Sequence, residues 1–176
     1  YGACPEGGEI AMDRFIHPRV EAEVAVVTKR PLSGPGCHVG AVLAAIDIVL
    51  PAVEIIDSRY KDFKFDLKSV VADNTSAAGY VVGGRSARPE DLDMPTLGVV
   101  MEKNGEIVEL GAGAAVLGHP AASVAMLANM MAARGEEIPA GTFIMTGGIT
   151  AAVAVEAGDH INIRYQGLGT LGFRFV

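Results

Sequence analysis

The chain has 176 residues, of which 50% are apolar and 20% are charged, a size and balance typical of a single domain with a substantial core. Its 14 basic and 21 acidic residues give a net charge of −7, which lacks the basic excess expected of a nucleic-acid-binding protein. No apolar run approaches the roughly 20 residues that span a bilayer, and residues 1–9 do not resemble a signal peptide. We therefore expect a cytoplasmic protein that binds neither nucleic acid nor membrane.

The first predicted elements are two strands separated by a helix. Apolar residues alternate with other residues over 19–27, which predicts a strand. Two prolines and two glycines in residues 29–36 predict a loop. Helical spacing of apolar residues follows from Val39 to Ile46, and Pro51 is expected to help end that helix. The apolar residues 52–56 predict a short second strand.

The second half of the chain is richer in strands than in helices. Residues 57–84 predict irregular connections around one or two short strands, and residues 85–94 a charged surface loop. The dipeptide Asn104-Gly105 lies between two apolar runs, 96–102 and 106–110, and predicts a hairpin. A helix is predicted over 119–134. Three further strands are predicted over residues 142–146, 161–165 and 170–176. These elements favour a mainly antiparallel β architecture with a few packed helices, an α+β protein.

Two glutamates on the first predicted strand are the sharpest chemical feature. Glu21 and Glu23 are two residues apart, so their side chains point to the same side, about 6.6 Å apart along the strand. Two anions this close repel each other, and one takes up a proton unless a cation neutralises both. The pair therefore predicts a divalent-ion site, with a solvated strand face as the alternative.

A third acid, Glu54, lies inside an apolar run and would be costly to bury without a partner. Three carboxylates form a hard, oxygen-only ligand set that suits Mg²⁺ or Mn²⁺. The alternatives are an exposed edge strand or an ion pair with Arg19 or Arg59.

The remaining motifs carry less chemistry. The glycine-rich residues 111–116 superficially match a dinucleotide fingerprint, but the helix starts only at residue 119 or 120, too late to place a pyrophosphate on its N-terminus. Gly147 and Gly148 could present backbone N–H groups or form a simple turn. The four histidines are scattered along the chain and give little support to a zinc site or a catalytic triad. Cys4 and Cys37 are predicted to be free thiols.

Four segments of the chain form a recognisable set, residues 17–25 (HPRVEAEVA), 51–59 (PAVEIIDSR), 71–74 (VADN) and 167–169 (GLG). Together they resemble the hydratase/decarboxylase branch of the fumarylacetoacetate hydrolase superfamily. The similarity covers essentially the whole chain. It implies a mixed β-sandwich roll like the C-terminal domain of that superfamily, formed by residues 1–176 as a single catalytic domain. It also implies Mg²⁺ bound by Glu21, Glu23 and Glu54, the acids singled out above by charge.

The resemblance further implies a lyase of meta-cleavage catabolism of aromatic compounds. Residues 62–67 (DFKFDL) and 148–150 (GIT) are more similar to the decarboxylases of the branch than to its hydratases. We therefore expect metal-dependent decarboxylation of a small, unsaturated 2-oxo dicarboxylate, with 2-oxopent-4-enoate hydration as the alternative. Association with a hydratase partner, or with further copies of the chain, is also implied.

The chain departs from the branch at its start. Members of the branch carry an N-terminal, largely helical segment with a lysine thought to act in the active site, and Tyr1 follows the position of that segment. This departure raises a third alternative, a catalytically silent subunit of a decarboxylase–hydratase complex.

Ion counting adds a requirement for positive groups. Three carboxylates and one Mg²⁺ sum to −1 before a dianionic substrate binds, so cations or N–H donors must surround the substrate. We expect Lys64 to be a catalytic cation, and Arg59, Gly147 and Gly148 to bind the substrate.

Overall fold

The computed structural model describes residues 2–176, which form eleven strands and three α-helices. The strands are β1 (Ala3–Cys4), β2 (Glu9–Ile10), β3 (Arg19–Thr28), β4 (Ile46–Ile56), β5 (Ala77–Val82), β6 (Gly98–Lys103), β7 (Glu106–Ala112), β8 (Phe143–Met145), β9 (Val153–Ala154), β10 (His160–Tyr165) and β11 (Gly169–Phe175). The helices are α1 (Val39–Ala45), α2 (Leu67–Ala72) and α3 (Pro120–Ala132). The prediction of a mainly β protein with a few helices is confirmed.

The strands form two sheets that share one hydrophobic core. The first sheet has the order β1-β5-β4-β3-β8, with β9 also paired to β3, and the second has the order β2-β11-β10-β6-β7. The pairs β1/β5 and β2/β11 are parallel and the other pairs are antiparallel. Buried apolar side chains from both sheets form a single cluster. The Tyr165 hydroxyl of the second sheet also donates to the Ala52 carbonyl of the first, at 2.6 Å. The mixed β-sandwich roll implied by the resemblance is confirmed.

Strand β4 is longer than the sequence predicted. It begins at Ile46, directly after α1, and Pro51 lies within it, so the prediction that Pro51 helps to end the helix is wrong. Pro51 pairs with Val24 of β3, whereas the pairing of β4 with β5 starts only at Ala52. A proline has no N–H to donate, and it is tolerated here because β4 has a single neighbouring strand at that position.

The connection between β4 and β5 contains a helix that the sequence analysis missed. Helix α2 begins after Asp66, whose carboxylate accepts a hydrogen bond from the Ser69 backbone N–H at 2.8 Å. Two short turns, at residues 62–63 and 74–76, have φ between 54° and 60° without any glycine. Side chains rarely adopt this left-handed conformation, so packing and hydrogen bonds must hold both turns.

The predicted hairpin and the predicted long helix are both present. Asn104 and Gly105 have φ of 56° and 86°, as a two-residue hairpin turn with positive φ at both positions requires. The His119 side chain accepts a hydrogen bond from Ala121 N–H and caps α3. The helix begins at Pro120, as predicted, and not at the glycines of residues 111–116.

We expected from the sequence that no apolar run is long enough to span a membrane, and by length and composition alone this expectation is wrong. Residues 113–132 form a 20-residue stretch that is long and apolar enough to cross a membrane, with a mean hydropathy of 1.3. Leu117 and Gly118 interrupt this stretch with φ of 52° and 82°. Only its last 13 residues are α-helical, which corresponds to about 20 Å against the roughly 30 Å of a bilayer core. Val124 and Ala128 of α3 pack into the hydrophobic core.

Candidate metal centre

Three glutamates converge on one face of the first sheet. Because side chains alternate along a strand, Glu21 and Glu23 of β3 point to the same side. The antiparallel register places Glu54 of β4 directly opposite Glu21. One carboxylate oxygen from each of the three residues lies within 4.8 Å of the others. The structure thus brings together the three acids that the sequence analysis selected as metal ligands.

Burial makes it costly for all three carboxylates to be charged at once. Glu23 is only 2% exposed. Burial raises its pKa to about 8, and repulsion from Glu54 and Glu21 adds to the effect of burial, while a backbone N–H from Gly147 opposes it. Burial, followed by repulsion from Glu21, raises the pKa of Glu54 to about 7, and burial also raises the pKa of Glu21. Near neutral pH this cluster takes up protons unless a cation compensates its charge.

The donor set fits a hard divalent cation. All three donors are carboxylate oxygens, the ligands that Mg²⁺ and Mn²⁺ prefer. The cost of gathering three buried anions is offset when a dication binds between them. Solvated glutamates on an exposed strand face, the alternative left open by the sequence, do not match the burial of Glu23.

The segment after β8 holds the acids in place. Gly147 N–H donates to Oε2 of Glu23 at 2.8 Å. A Cβ atom added at Gly148 would lie 2.9 Å from Oε2 of Glu21, so the backbone passes directly beside this carboxylate. Two hydrogen bonds to Ala22 fix the segment to β3, one from Ile149 N–H to its carbonyl and one from its N–H to Thr150 Oγ1. The substrate-binding role of Gly147 and Gly148 stays a prediction.

Arg59 and Lys64, the two cations predicted near the substrate, are both paired with aspartates. Arg59 makes an ion pair with the buried Asp73 and donates to its backbone carbonyl at 2.7 Å. The Lys64 side chain is 82% exposed and lies 3.8 Å from Asp62. The catalytic role of Lys64 and the binding role of Arg59 stay predictions.

A different cation shares the face of the acidic cluster. Arg19 is two residues before Glu21 on β3, so its side chain leaves the sheet on the same side. Its guanidinium carbon lies 4.4 Å from the centroid of the Phe63 ring, which also stacks on His17 with centroids 4.8 Å apart. The sequence analysis named Arg19 only as a partner for Glu54. The same period-two spacing that selected the glutamates could have placed it on their face.

The histidines and cysteines considered in the sequence analysis do not join the three glutamates in a metal site. Within residues 2–176, the three glutamates are the one group of three or more His, Cys, Asp and Glu side chains that could hold a metal ion. His119 caps α3. Cys4 and Cys37 are free, as predicted.

The fold agrees with the comparison to known families. Residues 3–176 match the model of the fumarylacetoacetate hydrolase C-terminal domain. The chain belongs to this family.

Within the family, the chain is more similar to some relatives than to others. The chain is 69% identical over 176 residues to a 4-oxalocrotonate decarboxylase of Pseudomonas putida, covering 100% of this chain and 67% of that protein. The 4-oxalocrotonate decarboxylase of Pseudomonas putida G7, solved in complex with magnesium and adipate, superposes with a TM-score of 0.96 at 66% identity and covers 99% of this chain and 66% of that one. The 2-oxo-hept-4-ene-1,7-dioate hydratase of Escherichia coli is 38% identical over 97% of this chain and 66% of that protein. The chain thus spans about two thirds of the length of these relatives, and it is more similar to the decarboxylases than to this hydratase.

Proposed function

We propose that this protein is a 4-oxalocrotonate decarboxylase. The reaction converts 4-oxalocrotonate (2-oxohex-3-enedioate) to 2-hydroxypenta-2,4-dienoate and CO₂, which makes the protein a lyase with a carboxy-lyase activity. The observation that carries the proposal is the convergence of three carboxylate oxygens within 4.8 Å, in a chain that is 69% identical to an enzyme of that name.

Glu21, Glu23 and Glu54 would hold a divalent cation, Mg²⁺ or alternatively Mn²⁺. When bound, such a cation supplies Lewis-acid polarisation of the 2-oxo group. The Gly147 N–H orients the Glu23 carboxylate for this task, since it donates to Oε2 at 2.8 Å. The relative from Pseudomonas putida G7 was solved with magnesium, which supports the choice of metal.

The electron flow explains why the 2-oxo group must be polarised. The bond between C5 and the departing carboxyl group breaks, and its electron pair forms a C4–C5 double bond. The former C3–C4 double bond moves to C2–C3, and the 2-oxo oxygen receives the charge and then a proton. In this chain, the cation that the three glutamates would hold is the group that would stabilise the negative charge at that oxygen.

A hydratase acting on 2-oxopent-4-enoate would use the same ligand set, so one assay must separate the two activities. We expect CO₂ release from 4-oxalocrotonate that depends on Mg²⁺. A hydratase would instead remove the ultraviolet absorbance of the dienol without releasing CO₂. A silent subunit would show neither change, even with excess metal and a hydratase partner.

The biological setting of the proposal follows from its chemistry. Decarboxylation of 4-oxalocrotonate belongs to meta-cleavage catabolism of aromatic compounds, and its product is the substrate of a hydratase. We therefore extend the proposal to a complex with 2-oxopent-4-enoate hydratase in the cytoplasm. Co-purification of the two proteins from a mixture tests this extension, and separate elution at micromolar concentration contradicts it.

A further inference from the structure

The proposed substrate has a second carboxylate, for which the three glutamates and their cation supply no partner. The three glutamates and one divalent cation carry a net charge of −1, and the substrate adds two negative charges. We infer that Arg19 binds the distal carboxylate of the substrate and thereby selects dicarboxylates over monocarboxylates. This inference rests on the proposed function, because it takes the carboxylate cluster as the site for the 2-oxo end.

The spacing of Arg19 and Glu21 along β3 is comparable to the length of the substrate. It is two residues from Glu21 on the same face of β3, which separates their Cα atoms by about 6.6 Å. With carbon–carbon bonds of about 1.5 Å, the six-carbon substrate extends roughly 6 Å. A substrate with its 2-oxo end at the glutamates can therefore direct its other end toward the guanidinium of Arg19.

The Arg19 guanidinium is available for an anion. No carboxylate of residues 2–176 forms an ion pair with it. It lies over the face of Phe63, 4.4 Å from the ring centroid, and this cation–π contact does not neutralise its charge. A guanidinium presents these donors in a fork that matches a carboxylate.

The loop that carries Phe63 is firmly attached to the start of β3. At the beginning of this loop, the Asp57 carboxylate accepts hydrogen bonds from the backbone N–H groups of Ile16 and His17, both at 2.8 Å. The His17 ring stacks on Phe63, and its Nε2 lies 2.7 Å from the Ser58 carbonyl oxygen. These contacts hold Phe63 against Arg19, so the guanidinium is pre-positioned before any ligand binds.

Arg59 and Lys64 are less suited to this role. The Arg59 guanidinium is already bound by Asp73, and Lys64 is 82% exposed with Asp62 nearby. Of these three cations, Arg19 is the one without an acidic partner in the part of the chain that the structure describes.

The test compares two unreactive ligands that differ only at the distal end. 2-Oxoadipate and 2-oxohexanoate share the 2-oxo acid group, but the first ends in a carboxylate and the second in a methyl group. Their affinities for the Mg²⁺-loaded protein are measured by calorimetry for the wild type, Arg19→Gln and Arg19→Lys. Arg174→Gln is the matched control, since Arg174 is exposed on the second sheet.

We expect Arg19→Gln to weaken 2-oxoadipate binding about 10- to 100-fold, the usual worth of a charge-assisted hydrogen bond. Binding of 2-oxohexanoate and of Mg²⁺ should stay within about twofold, and Arg19→Lys should lose less than Arg19→Gln. An equal loss for both ligands would mean a structural role and would overturn the inference, as would no loss at all. If the wild type binds Mg²⁺ but neither 2-oxo acid, the proposed function itself fails.

Discussion

At the residue scale, Glu23 determines the character of the site. It is the most buried of the three acids, and its carboxylate receives the Gly147 N–H while facing Glu21 and Glu54. A single backbone hydrogen bond does not offset the loss of solvation and two repulsive neighbours, so its pKa rises to about 8. The three carboxylates are therefore more stable with a cation bound between them than as charged groups without one.

Replacing Glu23 by glutamine should abolish tight metal binding without unfolding the protein. The amide keeps the shape of the side chain but removes one anionic ligand, and we expect Mg²⁺ affinity to fall about 100-fold or more. Calorimetric titration with Mg²⁺ measures the change. Glu137→Gln, which alters an exposed acid elsewhere, should bind as the wild type does, and an unchanged affinity in Glu23→Gln would show that the ion binds elsewhere.

The pH dependence of the metal-free protein should carry the signature of the raised pKa values. The pKa of Glu23 rises from 4.5 to about 8 on folding, so between these pH values the folded state retains a proton that the unfolded state releases. This contribution to stability is complete below about pH 4.5 and is lost as pH rises to about 8. We therefore expect the melting temperature of the wild type, relative to Glu23→Gln, to fall across this range when chelator is present. A constant difference between the two proteins would contradict the raised pKa.

Metal binding should show the opposite dependence on pH. The cation requires deprotonated carboxylates, so protons compete with it wherever Glu23 and Glu54, with pKa values of about 8 and 7, are protonated. We expect Mg²⁺ affinity to increase from pH 6 to pH 8, with protons released on binding. Calorimetry in buffers of different ionisation enthalpy measures the proton count.

At the scale of elements, the strand pair β3/β4 carries the site, and the sequence predicted half of this pair well. Period-two alternation identified β3 and put two acids on one face. The extent of β4 was missed because Pro51 was interpreted as a residue that ends the helix. A proline is tolerated within β4 at this position because β5 starts to pair only at Ala52. That pairing is a tertiary property, which the local sequence does not reveal. The left-handed turn that positions Phe63 contains no glycine, so the sequence contains no signal for it. The acids were therefore found, whereas the Phe63 contact to Arg19 was not.

The glycine segment beside β3 offers a test at this scale. A methyl group at Gly148 would lie 2.9 Å from Oε2 of Glu21, so Gly148→Ala must displace that flexible carboxylate. We expect a fold that is retained and Mg²⁺ affinity lowered about 3- to 10-fold. Gly172→Ala in β11, where the nearest atoms are 3.5 Å away, should leave the affinity unchanged. If both variants bind Mg²⁺ equally well, the Gly148 segment does not restrict Glu21.

At the scale of the whole molecule, the acidic cluster connects β3 and β4 at the centre of the first sheet, so metal binding and global stability should be coupled. A ligand that binds only the folded state stabilises it by about 2.7 kcal/mol when present at 100 times its dissociation constant. For a chain of this length, that free energy corresponds to a rise of roughly 5–11 °C in melting temperature. Scanning calorimetry at pH 8 with and without Mg²⁺ measures the rise, and chelator should reverse it. The rise in melting temperature should disappear in Glu23→Gln and persist in Glu137→Gln. An equal rise in both variants would contradict the proposed site. It would mean that Mg²⁺ acts through the surface charge of the chain, whose net charge is −7, and not through the three glutamates.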